Sequence, residues 1–152
     1  MVMKYGLEIP TRGVYSNPRK LADLAAEAEG AGWNGFFLWD VMLSDDAVVD
    51  PWIALAAIAM KTKRIKLGAL VTPLARRRPW KAARATASLD HLSKRRLIFG
   101  AGLGYEKSEF TAFCEDADPK IRAEKLDESL QILRRLWTGK VCSFRGRHYA
   151  LD

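Results

Sequence analysis

Residues Asp50 to Pro73 read DPWIALAAIAMKTKRIKLGALVTP. Asp50 supplies a side-chain acceptor for free N–H groups, and Pro51 loses nothing at a first helical position that has no bond to donate. The apolar run that follows predicts a helix, and its many alanines permit close helix packing. After KTKR comes IKLGALV, a short β-branched run that predicts a strand ending in V-T-P. Helix and strand together make one unit of an alternating α/β chain.

The pattern repeats on either side. Asn17 and Pro18 open NPRKLADLAAEAE, and Asp118 and Pro119 open DPKIRAEKLDESLQILRRLW. Another helix is expected from Pro79 to Leu92. The last helix places Leu126, Leu130, Leu133 and Trp137 on one stripe and carries Arg134 and Arg135 shortly before Gly139, a C-terminal signal. Strands are expected in KYGLEI from Lys4, GFFLWD from Gly35, IKLGALV from Ile65 and RLIFGAG from Arg96. Their starts lie about thirty residues apart, the length of one βα unit. Four consecutive units imply a parallel sheet with right-handed crossovers. An open doubly wound sheet and part of a (β/α)8 barrel both fit. A whole barrel takes about 250 residues, so a barrel reading leaves the inner sheet face to another half.

Composition suits a single globular domain over 1–152, with four units in 1–139 and a C-terminal extension in 140–152. The chain is 49% hydrophobic and 28% charged. No apolar run approaches the ~20 residues of a membrane span, and the first residues lack a signal-peptide pattern. Cys114 and Cys142 form neither a zinc spacing nor a disulfide framework. A cytoplasmic protein without a metal is the expectation. The net charge of +7 raises nucleic acid as a partner. KTKR and KRR precede strands whereas RRR at 76–78 follows one, so the clusters fall at opposite sheet ends. Solvated surface is the expected role of these runs, with no nucleic acid and no membrane bound.

In βα folds the chemistry sits where strands end. The strand tips here place Asp40, Thr72 with Pro73, and Gly102 with Gly104 on one expected rim. GAGLGYEKSEF is not a dinucleotide fingerprint, because its spacing is G-x-G-x-G and it falls in the fourth unit. It is not a Walker A loop either, since no G-K-[ST] follows. Glycines that let a strand turn and pack closely would account for this segment taken alone.

GWNGFFLWD, the long segment from Asp50 to Gly104, and RAEKLDESLQILRRLWTG together resemble the luciferase-like monooxygenase family of flavin- and deazaflavin-dependent oxidoreductases. The resemblance runs from Tyr5 to about Tyr149. It implies the N-terminal half of a (β/α)8 barrel with reduced FMN, or the deazaflavin coenzyme F420, across the carboxyl-terminal rim. FMN members activate dioxygen for monooxygenation and deazaflavin members transfer hydride. Asp40 matches the acid at the second strand tip, often followed by His in the family; here Val41 follows. GALVTP matches a stretch that often carries a non-prolyl cis peptide beneath the ring, expected near Ala69–Leu70, with Thr72 beside it. Gly102 and Gly104 match glycines that admit the ring system, and Glu109 matches the acid of an E-F pair near the pocket mouth. The resemblance thus implies catalytic roles for Asp40 and Glu109 and cofactor contacts for Ala69, Leu70, Thr72, Gly102 and Gly104.

Each residue also has a plain structural use. Asp40 can cap a loop, Thr72 can fasten a turn, and Arg76 and Arg77 can hold an anion or be solvated. His91 sits at a helix end away from the rim. The resemblance further implies a small-molecule substrate, a homodimer or higher oligomer through the DPW helix region, and a chain about twice as long. A second half-barrel chain, or self-association, would cover the open face. Because that second half normally supplies the phosphate site, the alternative is a non-catalytic structural or oligomerisation module that binds no cofactor.

Overall fold

The computed structural model describes residues 3–152. Three helices begin at the acceptor–proline pairs. In α1 (Pro18–Gly30), Asn17 Oδ1 accepts from the Arg19 and Lys20 N–H groups at 2.9 and 3.4 Å. In α2 (Pro51–Lys61), Asp50 accepts from Trp52 and Ile53 at 2.8 and 3.1 Å. In the last helix, α5 (Pro119–Leu136), Asp118 accepts from Lys120 and Ile121 at 2.7 and 3.2 Å. Each cap is worth about 1 kcal/mol. α3 (Pro79–Leu92) has the expected bounds, and a four-residue helix, α4 (Ser108–Thr111), precedes α5.

The chain forms two compact units. One holds the residues up to Val71 with Ser88–Gly100, the other Thr72–Ala87 with Ala101–Asp152. In the first, β1 (Gly6–Ile9), β2 (Gly35–Leu38) and β3 (Lys66–Ala69) run parallel in that order. Gly6 lies opposite Gly35, and Gly35 opposite Lys66. Phe36, Leu38, Leu67 and Ala69 point to one face, at most 1% exposed, and share a core with Leu21, Ala25, Leu55 and Ile58 of α1 and α2. Burying each large side chain contributes about 1.5–3 kcal/mol. On the opposite face Glu8 and Ile98 are exposed and Phe37 is half-buried.

The expected fourth strand, Arg96–Gly102, is interrupted. Leu67 bridges Leu97 in parallel, with the Ile98 N–H donating to Leu67 O at 2.8 Å. The Ile98 carbonyl then stands against Gly68, where any other residue would carry its Cβ. Only glycine permits that approach. A new pair starts beyond it, in the second unit: β4 (Thr72–Pro73) runs parallel to β5 (Ala101–Gly102).

In the second unit, α5 packs on the 3-10 turn Leu74–Arg76. The C-terminal residues form a hairpin of β6 (Phe144–Arg145) and β7 (Ala150–Leu151), whose Phe144 and Tyr149 pack on Ile132. The buried line of α5 is Arg122, Ser129, Ile132 and Leu133, so the expected stripe is shifted. Leu126 and Leu130 are half-buried and Trp137 is 44% exposed, its indole N–H donating to Thr86 Oγ1 at 3.0 Å. The hairpin draws Ile132 inward and turns the apolar face by about one position. Gly139 takes φ +70, and its N–H reaches Leu136 O at 3.1 Å, closing the helix as expected. Among the described residues no helix is long and apolar enough to cross a membrane.

Candidate functional site

The first unit positions Asp40, Ala69 and Leu70. β2 delivers Asp40 at its tip, where the Trp39 N–H donates to Ile9 O at 3.1 Å and Thr11 Oγ1 donates to Trp39 O at 3.1 Å. These bonds fix the backbone on which Asp40, 8% exposed, is carried. The adjacent β3 ends at Ala69, fully buried, and the Leu70 N–H donates to Leu38 O at 2.9 Å. A non-prolyl cis peptide joins Leu70 to Val71, one bond beyond the expected place. Around these two tips Trp39, Met42, Leu43 and Val71 are each 40% or 41% exposed. Partly exposed apolar side chains at the same strand tips as a nearly buried carboxylate suit a planar, largely apolar ring with a polar edge. The flavin or deazaflavin ring that the sequence implies therefore fits what these strand tips offer.

The second unit positions Thr72, Gly102, Gly104 and Glu109. Thr72 is fully buried, and its Oγ1 has no hydrogen-bond partner among the described residues, so it does not fasten a turn. Gly102 pairs with Pro73. Gly104 has φ +83, and a Cβ there would lie 3.1 Å from Pro73 Cβ and 3.2 Å from the Phe110 ring. Packing within this unit alone thus demands glycine at 104.

Glu109 turns inward. Its Oε2 lies 2.5 Å from Arg76 Nη1, with the side chains 8% and 4% exposed. The expectation that Arg76 is solvated is corrected here: tertiary packing places a carboxylate on the α4 helix against it. Two guanidiniums lie over the Phe110 ring, that of Arg76 at 5.9 Å and that of Arg122 at 4.8 Å from its centroid. Arg122 also donates to Gly104 O at 3.1 Å. Charge, ring and turn are therefore locked to one another, and the pairing gives Glu109 a structural role.

Each unit gathers its own part of the expected set. Sequence reasoning singled out the acid of the E-F pair but missed Arg122, which packs on its Phe110. It also missed a cavity of about 340 Å³ in the second unit, lined by Arg78, Lys125, His148 and Tyr149 among others. Those residues come from three separate segments, which no local spacing reveals. Among the described residues no three His, Cys, Asp or Glu side chains gather so as to hold a metal ion.

The luciferase-like monooxygenase family profile matches residues 3–152. An F420-dependent glucose-6-phosphate dehydrogenase of Nakamurella multipartita is 32% identical over 142 residues, which are 89% of this chain and 41% of that protein. A homologous enzyme of Amycolatopsis mediterranei is 34% identical over 141 residues, covering 88% and 42%. The oxygenating constituent of 3,6-diketocamphane monooxygenase from Pseudomonas putida, solved with FMN, superposes with a TM-score of 0.87. It is 21% identical and covers 99% of this chain and 43% of that one, a likeness of fold. The chain spans about two fifths of the curated relatives' length. Its fold class is α/β, parallel βα repeats that make up half of a (β/α)8 barrel.

Proposed function

The chain belongs to the luciferase-like monooxygenase family, and from that premise we propose that it forms the ring-binding half of a flavin- or deazaflavin-dependent oxidoreductase. The observation that carries this reading is the partial exposure of the apolar side chains Trp39, Met42, Leu43 and Val71 at the β2 and β3 tips, with Asp40 nearly buried at the β2 tip. FMN or F420, when bound, supplies the two-electron chemistry. The four apolar side chains provide contact area and exclude water. Asp40 offers a carboxylate to the polar edge. No imidazole follows Asp40, since Val41 stands there. Proton transfer from that position is therefore not part of the proposal.

The relatives named above support both cofactors: two are F420-dependent by name, and one was solved with FMN. Titrating purified chain with FMN and with F420 tests the reading. Saturable change in cofactor fluorescence is expected. Folded protein that leaves both spectra unchanged up to millimolar cofactor assigns the chain to the non-catalytic alternative.

The assembly is part of the same proposal. The sheet face bearing Glu8, Phe37 and Ile98 is covered in our reading by the remaining βα units of a barrel. α2 displays Ile53 and Met60, 64% and 73% exposed. Those side chains are the surface we assign to a second copy. Light scattering on the eluted protein is expected to give at least a dimer, which Met60→Glu lowers to a monomer. A stable wild-type monomer refutes the dimer.

A further inference from the structure

We propose that the 340 Å³ cavity of the second unit is a binding site for the phosphoryl group of a small phosphomonoester. The inference does not rest on the ring-binding reading, because every residue it uses lies in Thr72–Ala87 or Ala101–Asp152. The volume is at the lower end of small-ligand pockets, larger than a bare ion requires.

Charge selects the ligand class. Arg76, Arg77, Arg78 and Lys125 line the cavity, against two carboxylates, Glu115 and Asp116. Arg76 is occupied by Glu109. Asp116 is turned to its own backbone, accepting from the Asp118 N–H at 2.9 Å. Among the described residues neither Arg78 nor Lys125 makes an ion pair; Arg78 lies over the Trp80 ring at 5.9 Å. Two cations from different segments, uncommitted to any carboxylate and facing one cavity, suit a compact dianion that takes charge-assisted bonds from both. Arg78 offers a planar fork and Lys125 a point charge, the usual pair of geometries for a phosphoryl group.

The remaining wall is firm. His148 is 14% exposed at its side chain, and its Nε2 lies 2.9 Å from Glu124 Oε2. Its backbone N–H, with those of Arg147 and Tyr149, donates to the Glu128 carboxylate. Tyr149 packs edge-on to Trp80 with ring centroids 6.3 Å apart. Burial raises the Tyr149 hydroxyl above its ordinary pKa, so it remains a neutral phenol at pH 7. The hairpin is thus held in place before any ligand arrives, which lowers the ordering cost of binding.

The chain has two histidines, and only His148 lines this cavity, so each binding event has an internal control. The full chain is titrated with inorganic phosphate at constant ionic strength while the two imidazole proton signals are followed by NMR. Saturable movement of the His148 signal with His91 unmoved is expected. Arg78→Gln and Lys125→Gln should each weaken phosphate about ten-fold, the factor that about 1.4 kcal/mol represents. Lys140→Gln, an equal loss of charge elsewhere, should change it less than two-fold. Glycerol phosphate, FMN and riboflavin distinguish the sources. FMN moving His148 where riboflavin does not, and at far lower concentration than glycerol phosphate, assigns the site to the cofactor's phosphate. Comparable action of glycerol phosphate assigns it to a free phosphomonoester. The proposal is overturned if His148 does not move up to tens of millimolar phosphate. It is equally overturned if both histidines move together, or if the Arg78 and Lys125 variants, folded by circular dichroism, bind as the parent does.

Discussion

Arg96→Met should be among the most destabilising single substitutions in the first unit. Arg96 is 7% exposed, and all five of its guanidinium N–H donors are engaged. Nε donates to Ser93 O at 2.6 Å. Nη1 donates to Thr62 Oγ1 at 2.7 Å and Ile65 O at 3.1 Å, and Nη2 to Ala59 O at 2.8 Å and Thr62 O at 3.1 Å. One side chain thereby closes the C-terminus of α2, the turn into β3 and the turn after α3. Burial lowers the Arg96 pKa, and the charge of Glu29 opposes that shift. Methionine keeps the volume but leaves four carbonyl oxygens and a hydroxyl without their donor. Those acceptors are mostly backbone and cannot be removed along with the charge. Each unsatisfied acceptor costs about 1–3 kcal/mol, and partial hydration of the α2 end recovers some of the sum. Breaking a buried charged network costs about 3–5 kcal/mol, so about 4 kcal/mol is expected. Urea unfolding followed by circular dichroism measures it. With m about 2 kcal/mol/M, the midpoint falls by about 2 M at unchanged slope. Arg96→Lys, which offers three donors from one point, should lose about half as much. A methionine variant within about 0.5 kcal/mol of the parent behaves like a surface substitution and refutes the reasoning. A lysine variant of full stability refutes the claim that the planar fork matters.

Other substitutions follow the same physics. Glu29 accepts from the Lys63, Arg64 and Ile65 N–H groups, with its shortest bonds 2.6 and 2.7 Å to Arg64 and Ile65. Burial works to raise its pKa, but the Ile65, Arg64 and Lys63 donors and the Arg64 charge outweigh it and hold the carboxyl below its ordinary value. That stabilisation is complete above the unfolded-state pKa of about 4.3 and is lost as pH falls through the lower folded value. Glu29→Gln should therefore be less stable by about 1 kcal/mol at pH 7 and converge with the parent in acid; a pH-independent gap in urea midpoints argues against it. Gly104→Ala, forced to φ +83 against Pro73 and Phe110, should cost about 1–3 kcal/mol in the same assay. Arg76→Met should cost about 3–5 kcal/mol by stranding Glu109, whereas the double variant with Glu109→Met should cost less than the two single losses together. Additive losses in that cycle would show that the pair does not interact.

Local signals were the legible ones. Asn17, Asp50 and Asp118 capped their helices as expected because a cap needs only a short acceptor next to a proline. The glycine after α5 closed that helix for the same local reason. The charge runs were not legible. Lys94, Arg95 and Arg96 look alike in KRR, yet Lys94 and Arg95 turn through φ 55 and 63 at the surface while Arg96 is buried. What separates them is a set of carbonyls up to 37 residues away. Likewise Arg76 differs from Arg78 through Glu109, 33 residues on. Spacing along the chain carries no trace of either pairing. The break in the fourth strand was hidden in the same way, since nothing in RLIFGAG says that the Ile98 carbonyl faces Gly68.

The glycine run shows how such pairings redistribute weight among candidate residues. A residue that the fold already requires is poor support for a ligand, because its presence has a sufficient cause. Gly104 is required by Pro73 and Phe110, and Glu109 by Arg76. Both would be needed in a protein that bound nothing. Trp39, Met42, Leu43 and Val71 differ, since each leaves about 40% of an apolar residue to solvent. Exposed apolar area brings the fold no stability and marks an interaction surface when it is contiguous. Support for the ring-binding reading therefore rests on these four side chains and Asp40, more than on the glycines that first drew attention. The distinction has a measurable form. Val71→Asp should abolish cofactor-dependent fluorescence change while leaving the urea midpoint nearly where it was. Gly104→Ala should do the reverse, shifting the midpoint and leaving the affinity of the folded fraction intact.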